Sequence, residues 1–104
     1  MKTMPVMVEL CVVPVGVGTS LSDYIAACAR VLEESGLEHE MHDYGTNIVG
    51  EWDAVFAAIR KCHEVVHAMG APRIFTTLKI GTEIGRTRQL NEKVASVQRK
   101  LAQR

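Results

Sequence analysis

Several features that would point to a class of function are scarce in this sequence. The chain has no net charge at neutral pH, with twelve basic and twelve acidic side chains. A protein that binds polyanions needs an excess of lysine and arginine. Aromatic residues make up only 5% of the chain, which argues against a sheet that stacks RNA bases. We therefore expect no nucleic-acid partner.

The sequence also has little that would suit a membrane or a secretory route. No window of eighteen residues is both apolar and uncharged, so we expect no membrane-spanning helix and no membrane partner. The N-terminal apolar run contains Glu9 and has no small-residue cleavage site, so we expect no signal peptide. The chain has an odd number of cysteines, namely Cys11, Cys28 and Cys62. An odd number is typical of free thiols in a reducing compartment. Together these features predict a cytoplasmic protein.

The length and the hydrophobic pattern fit one small domain. A chain of 104 residues predicts a single domain over residues 1–104. Strands are expected at 6–15, 37–44, 46–51 and 73–82, and helices at 20–35, 52–69 and 87–102. Ser20 or Thr19 should cap the first helix, and Gly45 should form the turn between the second and third strands. This order predicts an α+β, ferredoxin-like βαββαβ sandwich with an extra C-terminal helix.

Both crossover helices of such a sandwich lie on one face of the sheet. Val8, Leu10 and Val12 should face these helices, because the alternate residues of the strand include Glu9. The other face, here called the open face, then has no helix over it. Its predicted residues are Glu9, Cys11, Val13, Asn47, Val49, Glu51, Phe75, Thr77 and Lys79. This surface is too apolar for water yet carries three charges, so we expect a subunit interface, with a ligand pocket inside it as a further possibility.

The end of the chain differs in charge from the rest. Residues 1–82 carry six basic and ten acidic side chains, whereas residues 83–104 carry six basic and two acidic ones. A basic tail can bind nucleic acid, but here the basic residues are interleaved with a narrow apolar stripe, which favours docking. The stripe consists of Leu90, Val94, Val97 and Leu101. We predict a homo-oligomer with the last helix at a subunit contact; a helix packed on its own domain is the alternative.

Residues 63–67 spell HExxH, the motif of zinc metalloproteases. The chain is short for a protease cleft, and no third ligand follows at a recognisable spacing. His63 also lies on the apolar side of the helix, where a half-buried structural histidine is the ordinary outcome. A metal-dependent hydrolase is therefore a distant third hypothesis, and we expect no metal, no cofactor and no catalytic residue. The helix should bury Trp52, Val55, Phe56, Ile59 and Val66.

Seven short segments occur in an order that is informative as a set. They are Val13–Gly16, Ser20–Tyr24, Leu32–Leu37, Gly45–Asp53, His63–Glu64, Gly70–Ile74 and Lys93–Val97. Together they resemble the thiamine-binding protein family, small ferredoxin-like proteins long left uncharacterised. The resemblance covers nearly the whole chain. It implies a tetramer built as a dimer of dimers, and non-catalytic binding of thiamine or its hydroxymethylpyrimidine moiety. The chain departs from the family at Val49, where the family often has an acid, so it lacks a carboxylate at this position.

Thiamine joins an aminopyrimidine to a thiazolium cation, and the open face and its borders offer partners for both. An aminopyrimidine needs paired donors and acceptors, and a thiazolium needs a carboxylate or an aromatic face. The predicted ligand-binding residues are Thr46, Asn47 and Thr77 for the former, and Glu9, Glu51, Trp52 and Phe75 for the latter. Structural alternatives remain open for two of these residues. Glu9 could instead pair with Lys79 across adjacent strands, and Glu51 could instead stabilise a helix N-terminus. The competing hypothesis is an oligomeric interaction or regulatory protein without a small ligand.

Overall fold

The fold is one antiparallel sheet with two helices against one face and a third helix at the end of the chain. The computed structural model describes residues 3–18 and 20–103. The elements are β1 (Pro5–Val15), α1 (Ser22–Ser35), β2 (Glu38–His42), β3 (Gly45–Glu51), α2 (Trp52–Ala68), β4 (Arg73–Gly81) and α3 (Glu92–Ala102). The strand order is β2-β3-β1-β4. The predicted ferredoxin-like βαββαβ plan with an added helix is confirmed.

The core lies between the sheet and the first two helices. β1 is central and pairs with both β3 and β4. The predicted orientation of this strand is confirmed, since its even-numbered apolar residues are buried. The main buried residues are Val6, Val8, Leu10 and Val12 of β1, Ile48 of β3, Val31 and Leu32 of α1, and Val55, Cys62 and Val66 of α2.

The start of α1 differs from the prediction, whereas its end agrees with it. The helix begins at Ser22, so the expected cap at Ser20 is wrong, and Thr19 lies outside the described residues. Leu21 occupies the cap position without a side-chain hydrogen bond, and its carbonyl accepts from the N–H of Tyr24 at 3.0 Å. Gly36 ends the helix with a left-handed φ of 76°, which glycine adopts without steric cost.

The turn between β2 and β3 is one step earlier than predicted. His42 and Gly45 are register partners, so Asp43 and Tyr44 form a two-residue turn and Gly45 already belongs to β3. The requirement for glycine at position 45 is steric. A Cβ there would lie 2.8 Å from the carbonyl oxygen of Leu10 on the neighbouring strand. A close approach of two backbones therefore explains this glycine.

The buried face of α2 is narrower than predicted. Val55 and Val66 are buried as expected, together with Ala58 and Cys62, which repeat at helical spacing. The expected burial of Trp52, Phe56 and Ile59 is wrong, because these side chains flank the stripe and are only half-buried. Trp52 and Phe56 stack on each other with ring centroids 4.9 Å apart. Trp52 thus packs against the edge of the core at the start of α2.

The last helix stands apart from the core. It begins at Glu92 instead of 87, because Asn91 adopts a left-handed φ of 61° that interrupts the helical backbone. No residue of α3 is buried. The radius of gyration is 15.5 Å, whereas a compact chain of this length has one of about 13 Å. No described helix has the length and apolar character needed to cross a membrane.

A cavity between the open face and the start of α3

The open face is assembled as the alternation predicts. On β1, Glu9 lies between its register partners Asn47 of β3 and Lys79 of β4. The same parity brings Cys11 beside Thr77. Among the apolar residues of this face, Phe75 is 62% exposed. The surface thus combines charged, amide and apolar groups on one rigid sheet.

A cavity of about 520 Å³ lies between the open face and residues 82–94. This volume is within the range of about 300–1,000 Å³ that is usual for small-ligand sites. The strands contribute one wall, and the segment after β4 with the first turn of α3 contributes the other. The lining residues are Met7, Val8, Glu9, Asn47, Lys79, Ile80, Gly81, Thr82, Glu83, Arg88, Gln89, Asn91, Glu92, Lys93 and Val94.

Glu9 is the carboxylate that the sheet contributes to this cavity, and its nearest partner is His42. The Nδ1 atom of His42 accepts from the N–H of Tyr44 at 3.3 Å. A ring nitrogen that accepts a hydrogen bond carries no proton, so the proton lies on Nε2. Nε2 then donates to Glu9 Oε2, 3.2 Å away.

Four charged side chains hold the segment after β4 in place. Arg88 is 3.1 Å from Glu83 and 3.9 Å from Glu92. Arg86 pairs with both of these carboxylates as well. The hydrogen bond from the Arg86 guanidinium holds the pKa of Glu92 below its ordinary value. The two arginines and two glutamates balance one another, so this ion cluster adds no net charge to the cavity.

A second contact fixes the start of α3 over the sheet. The amide of Asn91 donates to the carboxylate of Glu40 on β2. These residues are 51 positions apart in the chain. The position of this wall over the sheet could not be predicted from the sequence, because the contact that holds it joins residues far apart in the chain.

The predicted ligand-binding residues do not all lie together. Glu9 and Asn47 line the cavity. Phe75 and Thr77 lie on the open face but further along β4, opposite Val13 and Cys11. Thr46 pairs with Leu10 and therefore belongs to the side of the sheet that faces the helices. The structure thus brings two of the predicted residues to one site.

Glu51 and Trp52 have structural contacts at the start of α2. Glu51 Oε2 accepts from the N–H groups of Asp53 and Ala54, at 2.9 and 3.3 Å. This is the capping role that the sequence left open as an alternative. The N–H of Trp52 donates to the carbonyl of Met4 at 2.9 Å. Neither side chain lines the cavity, so their ligand contacts stay predictions.

The HExxH segment lies on α2, away from the cavity. Nε2 of His63 shares a hydrogen bond of 2.6 Å with the hydroxyl of Thr76. Nδ1 of His67 donates to the carbonyl of Ala71 at 2.8 Å. Glu64 is 3.6 Å from Arg60. Within the described residues, no group of three or more His, Cys, Asp or Glu side chains is placed to hold a metal ion.

The thiols of Cys28 and Cys62 belong to the core. Cys62 donates to the carbonyl of Cys28 at 3.9 Å, which joins α1 to α2. Hydrogen bonding with Cys28, followed by burial, raises the pKa of the Cys62 thiol. A thiol held in its protonated form is a poor nucleophile, so Cys62 has a packing role.

Solved structures similar to this protein share its fold. A crystal structure from Methanocaldococcus jannaschii has a TM-score of 0.82 at 24% identity, and covers 91% of this chain and 97% of its own. A structure from Thermotoga maritima, provisionally named a thiamine biosynthesis or salvage protein, has a TM-score of 0.78 at 22% identity. It covers 89% of this chain and 98% of its own. At these identities the likeness concerns the fold alone.

Sequence relatives are closer. A UPF0045 protein of Synechocystis sp. is 58% identical over 97 residues, covering 93% of this chain and 80% of the relative. A UPF0045 protein of Eremothecium gossypii is 36% identical over 103 residues, covering 98% of each. The profile of the thiamine-binding protein family matches residues 8–98. The resemblance noted in the sequence is therefore confirmed, and the chain belongs to the thiamine-binding protein family.

Proposed function

We propose that this protein binds thiamine or its hydroxymethylpyrimidine moiety, without catalysis, in the cavity between the open face and α3. The observation that carries the proposal is the position of Glu9, a charged carboxylate at the wall of a cavity of about 520 Å³. Membership of the family supports the choice of ligand. A cation placed in this cavity would meet the carboxylate of Glu9 at the centre of a rigid sheet.

Each part of thiamine has a suitable partner among the lining residues. The thiazolium ring carries the positive charge that Glu9 attracts. The amide of Asn47, next to Glu9 on the neighbouring strand, can donate to and accept from an aminopyrimidine edge. Met7 and Val94 add apolar surface on opposite walls of the cavity. The arrangement therefore matches a flat, polar-edged cation.

The composition of the cavity supports a binding role in preference to a catalytic one. Among the described residues that line it, none is a cysteine, a histidine or a serine. The acidic side chains Glu83 and Glu92 are held in ion pairs with arginines. Our proposal thus assigns no nucleophile and no general base.

The proposal includes assembly into a homotetramer in the cytoplasm, with no nucleic-acid or membrane partner. Exposed apolar side chains of the open face and of α3 support self-association, since such surface is unfavourable in water. Phe75 is 62% exposed and Leu101 is 61% exposed. The three free thiols support a reducing compartment. Light scattering should give four times the chain mass of 11.5 kDa; a monomer at micromolar concentration would contradict the assembly.

Titration calorimetry with thiamine tests the binding proposal. The parent should bind saturably, and Glu9→Gln should bind at least tenfold more weakly because a charged contact is lost. Glu38→Gln is the matched control, since Glu38 is an exposed acid of β2 outside the cavity lining. Equal weakening by both substitutions, or no binding to the folded parent, would contradict the proposal.

A second candidate function is protein interaction without a small ligand. The specific observation in its favour is α3, an amphipathic helix with no buried residue. Val94 and Val97 lie exposed on its apolar stripe. Absence of thiamine binding together with a stable oligomer would favour this candidate.

A further inference from the structure

Two lysines line the cavity without a carboxylate partner. Lys79 enters from β4 and Lys93 from the first turn of α3, so they belong to opposite walls. Among residues 3–18 and 20–103, neither lysine makes an ion pair. Lys79 is the register partner of Glu9, but the carboxylate of Glu9 pairs with His42. Both ammonium groups are therefore available to a ligand.

The remaining charges of the cavity are arranged unequally. Glu83, Glu92 and Arg88 belong to the ion cluster that also contains Arg86, and that cluster is neutral as a whole. Outside the cluster, the lining has one acid, Glu9, and the two free lysines. His42, which contacts the carboxylate of Glu9, does not itself line the cavity. The cavity thus offers one negative and two positive charges.

A ligand that complements these charges has one cationic group and one group with about two negative charges. A phosphate monoester carries about 1.5 to 2 negative charges at pH 7. Lysine suits such a group, because its ammonium is a compact charge on a flexible stem and can reach phosphate oxygens from several directions. Free thiamine has the cation but no anion, and would leave Lys79 and Lys93 without partners.

We propose that the cavity selects a phosphate monoester of a cationic heterocycle, with Glu9 at the cation and Lys79 and Lys93 at the phosphate. This inference rests on the proposed thiamine-binding function and narrows its ligand class to the phosphorylated form. The phosphate lies between the two walls, so it links β4 to the first turn of α3. The bound phosphate would therefore hold the start of α3 in place, in addition to the ion cluster and the contact between Asn91 and Glu40.

Calorimetry with three probes tests the inference: thiamine, thiamine monophosphate and inorganic phosphate. The parent should bind the monophosphate at least tenfold more tightly than thiamine, since hydrogen bonds to charged groups are worth about that factor or more. Lys79→Gln and Lys93→Gln should each lose most of this advantage, because each removes one positive charge from the phosphate end of the cavity. Lys61→Gln is the control, because Lys61 is exposed on α2 and does not line the cavity.

Salt gives a second readout with the same ligands. The advantage of the monophosphate should shrink as ionic strength rises, because exposed charges are screened, whereas a contact made only by stacking would not respond. Circular dichroism of each variant checks that the fold is kept.

The outcomes separate the inference from the function beneath it. Equal affinity of the parent for thiamine and its monophosphate, or an advantage that survives both lysine substitutions, overturns the inference and leaves thiamine binding standing. Inorganic phosphate that binds as tightly as the monophosphate overturns it as well, since the heterocycle would then contribute nothing. Binding of neither thiamine nor the monophosphate overturns the inference and the proposed function together.

Discussion

The two faces of the sheet are built from the same strands but have opposite properties. The face toward α1 and α2, here called the covered face, contains Val6, Val8, Leu10, Val12 and Ile48, all buried. The described core contains no buried polar or charged residue. The open face carries Glu9, Asn47 and Lys79 beside a cavity. Because side chains alternate along a strand, one strand can serve stability on one face and recognition on the other.

The separation of the two faces can be tested first on the covered face. Ile48 is 0% exposed, so Ile48→Ala should lower the free energy of unfolding by about 2–5 kcal/mol through lost burial and a cavity. Urea denaturation measures the change. Ile84→Ala is the matched control, since Ile84 is fully exposed after β4 and should change stability by less than about 0.5 kcal/mol. Equal losses of unfolding free energy in both variants would contradict the role of the covered face in stability.

A glycine on β3 tests how closely the covered face is packed. A Cβ at position 50 would lie 2.5 Å from Cδ2 of Leu37 and 3.2 Å from Cγ2 of Val55. Gly50→Ala should therefore destabilise the protein by about 1–3 kcal/mol, the usual cost of overpacking. Gly81→Ala, with no atom within 4 Å of the added carbon, should be close to neutral. Thermal unfolding measures both variants. A Gly81→Ala variant less stable than Gly50→Ala would contradict the close packing at position 50.

Glu51 is the last residue of β3, and the sequence predicted it as a ligand-binding residue. Its carboxylate caps α2 through Asp53 and Ala54. Glu51→Ala should cost about 1 kcal/mol of stability and leave thiamine affinity unchanged. Chemical denaturation and calorimetry on the same sample measure both. A weakened affinity at full stability would return Glu51 to the binding site.

The smallest expected effect concerns the ion cluster beside the cavity. The folded pKa of Glu92 is lowered by the hydrogen bond from Arg86, so the ion pair is present at neutral pH and is lost as pH falls through that lowered pKa. A carboxyl titration followed by NMR should give a midpoint below the ordinary glutamate value of 4.5. Arg86→Gln should raise this midpoint. An unchanged midpoint would mean that the cluster does not form in solution.

Much of the fold could be predicted because the covered face is encoded locally. Alternation along β1 assigned Glu9 and its neighbours to the open face, and the register of β3 and β4 confirms it. The details that failed depend on backbone geometry without a strong side-chain pattern. Asn91 interrupts the last helix by a left-handed φ, and Gly45 serves a close strand approach instead of the turn itself.

The candidate site could be predicted only from its sheet side. Glu9 and Asn47 were found because strand alternation places them on the open face. The other wall was missed, since its position over the sheet depends on the contact from Asn91 to Glu40, which are 51 positions apart in the chain. The contact between His42 and Glu9 was also missed, because it joins β2 to β1, the two strands on either side of β3.

Mapping bound thiamine on the protein by NMR tests whether recognition belongs to the open face. Titration should shift the backbone amides of Glu9, Asn47 and Lys79 and of the first turn of α3. Amides of the core between α1 and α2 should remain in place. Shifts centred instead on Trp52 and the start of α2, or no saturable shift at all, would contradict the claim that recognition belongs to the open face.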